Sequence, residues 1–141
     1  MKLWSVSAVV LVGLTAAGCV TSGLGTSRGS GASGAAVAVP SGRISKIDQF
    51  SYITPTCREV PGVAARVTKQ AAYGRVSIRR ARDFSPYDAG NSSAGCNSQR
   101  VPVWQVLYTS APGYQGPDHF AYRKAFPNGK VLDVVVNVDV Q

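Results

Sequence analysis

The clearest pattern lies towards the C-terminal end of the chain. Leu132, Val134, Val136, Val138 and Val140 alternate with Asp133, Val135, Asn137 and Asp139, the period of two that marks a strand with one buried face. Upstream, Phe120, Tyr122 and Phe126 fall on one face of a second strand and His119, Arg123 and Ala125 on the other. Pro127-Asn128-Gly129-Lys130 joins them, and its Asn-Gly pair predicts a tight hairpin because both central residues tolerate positive φ. Residues 73–79 also alternate, with Val76 and Ile78 opposite Arg75, Ser77 and Arg79. Residues 101–109 are apolar on both faces, which predicts a strand covered on both sides or near a sheet centre. Residues 63–68 and 43–53 supply shorter candidates. No segment after the first eighteen residues has a helical period, so five or six strands with Gly/Pro turns predict an all-β sandwich.

The N-terminal third reads differently. Lys2 precedes a short apolar run, residues 3–14, interrupted by Ser5 and Ser7. A spanning helix needs about 20 apolar residues, so residues 1–18 fit a signal peptide. The run Leu14-Thr15-Ala16-Ala17-Gly18-Cys19 resembles the lipobox of bacterial lipoproteins. That resemblance implies acylation of Cys19, palmitate among the acyl groups, and a lipid anchor in place of a spanning helix. Val20 stands where Asp would, in some bacteria, signal inner-membrane retention, which favours the outer membrane facing the periplasm. Ala16 stands where Leu is usual, and cleavage after Ala17 or Gly18 to give a soluble periplasmic protein is the alternative. Residues 19–42 turn to Gly, Ser, Ala and Thr with Arg28 the one charge. That composition predicts a disordered tether, spanning roughly 25 Å as a Gly-rich coil. The folded domain is then residues 43–141.

Cysteine arithmetic agrees with export. Three cysteines leave one unpaired; lipidating Cys19 removes the odd one and leaves Cys57 and Cys96 to form one disulfide. The alternative, two reduced buried thiols, suits an oxidising compartment less well. Closing the loop of about 40 residues between Cys57 and Cys96 stabilises by on the order of 4 kcal/mol on the chain-entropy model.

Charge narrows the partners. Of 15 Lys and Arg, Lys2 leaves with the signal peptide, so 14 remain against 7 acidic residues. Export argues against nucleic acid. Anionic envelope lipid, acidic glycan or a protein are the counterparts such a surface fits, beside the plainer reading of a charged surface that only keeps the chain soluble. Arg75, Arg79, Arg80 and Arg82, joined by Arg66, Lys69 and Arg100, form the candidate anion-binding set. Tyr87, Tyr114 and Trp104 are candidate aromatic platforms. The loop 83–99, rich in Ser, Asn and Gly, is the segment expected to vary most in shape.

Residues 106–122, Val-Leu-Tyr-Thr-Ser-Ala-Pro-Gly-Tyr-Gln-Gly-Pro-Asp-His-Phe-Ala-Tyr, followed by Gly129 and the valine-alternating strand, resemble the signature of bacterial Ig-like and cadherin-like domains. Tyr73-Gly74-Arg75-Val76 resembles the element that precedes it there. The resemblance covers about residues 73–140 and implies an Ig-like antiparallel sandwich of about seven strands. Tyr108, Pro112, Gly113, Gly116, Asp118, Phe120, Tyr122 and Gly129 are then structural. Pro112-Gly113 suits a type II turn and Gly116 a second bend. Asp118 is placed to accept N–H bonds from that loop in preference to binding a metal. Ser110 and His119 depart from the family pattern, and Trp104 does not lie between the cysteines as in antibody domains.

No catalytic constellation is legible. His119 adjoins Asp118, but neighbours on a strand face opposite ways. There is no nucleophile elbow, phosphate loop or His/Cys metal spacing, and the acids lack the clustering that calcium needs. The sequence therefore predicts a non-catalytic binding or structural module without cofactor or metal, with an enzyme whose site is built from residues distant in sequence as the third reading.

Overall fold

The computed structural model describes residues 35–141; Cys19, the signal segment and most of the expected tether lie outside them. Seven strands run in chain order: β1 (Val37–Val39), β2 (Ile44–Phe50), β3 (Ala64–Lys69), β4 (Gly74–Phe84), β5 (Arg100–Ser110), β6 (Gly116–Ala125) and β7 (Val131–Val140). They form two sheets, β1-β7-β6-β3 and β2-β5-β4, packed as a sandwich. The all-β sandwich with one disulfide is thus the fold, with one short 3₁₀ turn at Ala94–Ser98.

Two sequence boundaries need correction. Val37–Val39, expected in the tether, forms β1 and pairs in parallel with Val138–Val140 of β7. The ordered domain therefore begins before residue 43, and one of its pairings is parallel where an antiparallel sandwich was expected. Ala, Val and Pro at 36–40 are too apolar for a solvated coil, and Val39 is buried against the core. The β6–β7 turn also differs. Among residues 127–129 only Gly129 has positive φ, at 83°, and its N–H donates to the Phe126 carbonyl. Pro127 and Asn128 are therefore the central turn residues, and Gly129 is the left-handed bulge residue of a three-residue hairpin loop.

The main core lies between the sheets. Val76, Val106, Tyr108, Phe120, Tyr122, Val138 and Val140 form it with Val39 and Phe50. The Tyr108 and Phe120 rings stack at 5.9 Å, and both residues are fully buried. Phe120 comes from the inward register that the alternation predicted, whereas Tyr108 lies in the stretch that reads as apolar on both faces. β5 is the central strand of its sheet and is covered on both faces. Its odd-numbered Val101 and Val103 pack outward with Ile53 and Cys96 in a second, smaller core. That second core explains why 101–109 reads as apolar on both faces. It also explains how β4 extends to Phe84, because it pairs with β5 along eleven residues. Pro102 fits within β5 because β2 pairs only as far as Trp104, leaving Pro102 on the open side.

Candidate anion-binding face

The sandwich has two ends of different construction. At one end lie residues 40–43, 70–73, 111–115 and the C-terminus. Here Asp118, 4% exposed, accepts N–H bonds from Ala72 at 3.0 Å and Tyr73 at 3.0 Å, from His119 at 2.8 Å, and a hydroxyl from Tyr108 at 2.9 Å. It accepts N–H bonds as expected, but the donors come chiefly from the β3–β4 connection and not from the Gly113–Gly116 loop. Burial opposes the charge on Asp118, but the three N–H donors and the Tyr108 hydroxyl outweigh it and hold the carboxyl below its ordinary range. Burial, and then the bond to Asp118, push the Tyr108 hydroxyl well above its ordinary range.

The neighbouring turns are as the residues demand. Gly113 takes φ of 76° after Pro112, and Tyr114 N–H closes the turn on the Ala111 carbonyl at 3.1 Å. Gly116 takes φ of 121° as β6 begins, where the Tyr114 hydroxyl donates to the Pro117 carbonyl at 2.7 Å.

At the other end, Cys57 and Cys96 form the disulfide, with Cα atoms 5.5 Å apart. It fastens the loop after β2 to the 3₁₀ turn over the second core. The connection from β4 to β5 is well tied: Asn97 bonds Ser85 and Tyr87, and the Ser93 hydroxyl donates to the Ile53 carbonyl.

The four β4 arginines do not form one surface. Arg75 and Arg79 stand on the outer face of the three-stranded sheet, with Arg79 Nε donating to Gln105 at 3.1 Å. Arg80 and Arg82 fall on the opposite register: Arg80 pairs with Glu59 and lies 5.4 Å over the Trp104 ring, while Arg82 donates to the Arg100 carbonyl at 2.9 Å. Alternation along a strand divides adjacent basic residues between faces. Trp104 and Tyr87 are anchors and not platforms, Trp104 packed against the main core and Tyr87 bonded to Ser51 and Ile53.

A tighter basic group assembles on the outer face of the four-stranded sheet. Arg66 of β3 pairs in register with Arg123 of β6, and Lys69, after a bulge, with Ala121. Arg123 grips Asp133 of β7 through two bonds of 2.6 and 2.8 Å, while Arg66 adds a second positive field on that same carboxylate. Lys69 Nζ lies 2.6 Å from His119 Nε2, so the ring accepts a bond from the ammonium. Arg66 and Arg123 thus share Asp133, while Lys69 and His119 form a second pair farther along the same face, where His119 stands opposite Asn137. Sequence reading named Arg66 and Lys69 but set them with β4, because the pairing of β3 with β6 is not written in either segment.

Between the sheets, a mouth beside β7 holds a separate polar group. Burial would raise the Asp48 carboxyl, but hydrogen bonds from Tyr122 and from Lys124 at 3.0 Å hold it low. It serves the fold by satisfying the Tyr122 hydroxyl, and burial followed by the Asp48 bond drives that hydroxyl upward. Among the described residues no His, Cys, Asp and Glu group has the makings of a metal site, and no helix is long and apolar enough to cross a membrane.

No family model matches the chain, and no curated protein matches it. Among solved structures, the solution structure of Amebosin aligns at 14% identity, covering 75% of this chain and 88% of that one with a TM-score of 0.39. At that score the likeness carries no argument about fold or function.

Proposed function

We propose that this chain is a non-catalytic binding module of a bacterial cell envelope, tethered by lipid on Cys19 and docking on anionic envelope groups through Arg66, Lys69, His119 and Arg123. The observation that carries this reading is that the four side chains stand on one outer sheet face, Arg66 and Arg123 at Asp133 and Lys69 with His119 farther along β6. Guanidinium and ammonium groups form charge-assisted bonds with phosphate and carboxylate, and cations near an anionic surface add about 1 kcal/mol each. The Ig-like reading is supported by the strand order, since β7-β6-β3 faces β2-β5-β4 and β1 crosses to pair with β7.

Two measurements test it. Intact mass of protein from native membranes should show a chain starting at Cys19 with added acyl mass. An unacylated chain cut near Ala17 or Gly18 would leave a soluble periplasmic accessory or inhibitor protein instead. For docking, full-length Cys19→Ala protein should sediment with anionic phospholipid vesicles in a salt-sensitive way and not with zwitterionic ones. Replacing Arg66 and Lys69 together by Ala should weaken this about thirtyfold. Unchanged sedimentation in that double variant sinks the basic-face reading.

A further inference from the structure

At the Asp118 end, on the outer face of the other sheet, lies a shallow recess of about 590 Å³ bounded by Ile44, Ala72, Tyr73, Gly74, Arg75 and Thr109, among others. Ile44 is 71% exposed and Tyr73 52%, an unusual outlay of apolar surface in so small a patch. Register places Ile44 and Arg75 on either side of Thr109, since β5 pairs there with both β2 and β4. The floor is therefore a hydroxyl on a flat strand, with an aliphatic wall on one side and an aromatic and a guanidinium on the other.

The aromatic wall is held in place before any ligand arrives. Tyr73 stacks on Tyr114 with centroids 4.3 Å apart and planes within 7°. Its backbone is held on both sides, the N–H by Asp118 and the carbonyl by Ala111 N–H at 2.7 Å. Tyr114 is fixed in turn through Pro117. A wall pinned at this many points loses little entropy on binding. Arg75 is the one charged residue of the recess and takes part in none of the ion pairs among the described residues.

From this combination we infer that the recess binds an acidic sugar, with the carboxylate on Arg75, the C–H face of the ring against Tyr73 and Ile44, and ring hydroxyls over Thr109. The charge of Arg75 calls for an anion, and its planar fork suits a carboxylate. The recess is open and shallow, with an aromatic side wall and a hydroxyl on its floor. A flat amphipathic ring fills such a space, whereas an aliphatic side chain of a peptide would remain mostly in water. The site is built from the opposite sheet to the basic face and either assignment can fail alone.

The test is amide-resolved NMR of full-length Cys19→Ala protein titrated with a short oligogalacturonate, its methyl ester and a neutral galactose oligomer. Expected shifts cluster at Ile44, Tyr73, Gly74, Arg75 and Thr109, with the ester and the neutral oligomer at least tenfold weaker. Arg75→Gln and Tyr73→Ala should each lower affinity about tenfold, whereas Arg66→Ala with Lys69→Ala should leave it unchanged. A spectrum that otherwise matches the parent shows that each variant is folded. Equal binding of the neutral oligomer, shifts confined to Arg66, Lys69 and Arg123, or tighter occupation of the recess by an acidic aliphatic peptide would each overturn the assignment.

Discussion

The two ends of the sandwich solve one problem by different chemistry. Each must hold connections that cross between layers and cannot complete a sheet ladder. The Asp118 end uses a buried carboxylate as a common acceptor for three backbone N–H groups and the Tyr108 hydroxyl. The Cys57 end uses a covalent bond over a small apolar core of Ile53, Cys96, Val101 and Val103. The first is sensitive to protons and the second to reductant. The exposed aromatic recess sits at the end whose backbone is pinned by hydrogen bonds.

The largest expected effect separates the two directly. Replacing Cys57 and Cys96 together by Ser should cost on the order of 4 kcal/mol by denaturant unfolding. Hydrogen exchange should quicken first in the 3₁₀ turn and the loop after β2 while Ala72 and Tyr73 stay protected. Loss of protection at Ala72 and Tyr73 in step with the loop would mean that the two ends do not act independently. Asp118→Ala should cost about 3 kcal/mol, since it strands the Tyr108 hydroxyl and two loop N–H groups, and should loosen Tyr73 with no change at the disulfide.

Acid should then act through the hydrogen-bonded carboxylates and leave the disulfide intact. The Asp118 carboxyl is held below its unfolded value of 3.8, so its contribution is complete above that pH and is lost as pH falls through the lower folded value. Asp48 follows the same direction. Asp118→Asn should flatten the acid limb of the stability profile, and an unaltered limb would refute the keystone role. At alkaline pH the order reverses: Tyr108 titrates above its unfolded value of 10.0 when folded, so its contribution holds below that pH and is lost as pH rises past it. Gly129→Ala is the smallest effect. Nothing lies within 4 Å of the added methyl, so the loss of about 1 kcal/mol comes from φ alone. Gly74→Ala makes a control of the opposite kind, since its methyl would meet the Tyr108 ring at 2.6 Å.

Legibility followed range. The β6–β7 hairpin, the turn at Pro112-Gly113 and the inward register of Val76, Phe120 and Val138 could be read from neighbours in sequence, because alternation and φ preference act within a few residues. The place of Tyr73 in a recess could not be read that way, because its stacking partner, Tyr114, lies on another loop. The candidate arginines Arg75, Arg79, Arg80 and Arg82 divide for a related reason: adjacency along β4 is not adjacency on one surface.

By itself, the sequence determined the β class, most of the sheet-forming segments and the residues with no choice of environment, since burial of apolar side chains and restricted backbone angles are local demands. Cysteine counting favoured the Cys57–Cys96 bond that the structure holds. Only the tertiary structure decided that β1 joins β7 and that Arg66 and Lys69 meet His119 and Arg123. It alone decided, too, that Asp118 gathers the β3–β4 connection and that Ile44, Tyr73 and Arg75 share one recess. Those choices depend on strand order and register between segments tens of residues apart, where loop closure and cross-strand packing act and no local propensity reaches.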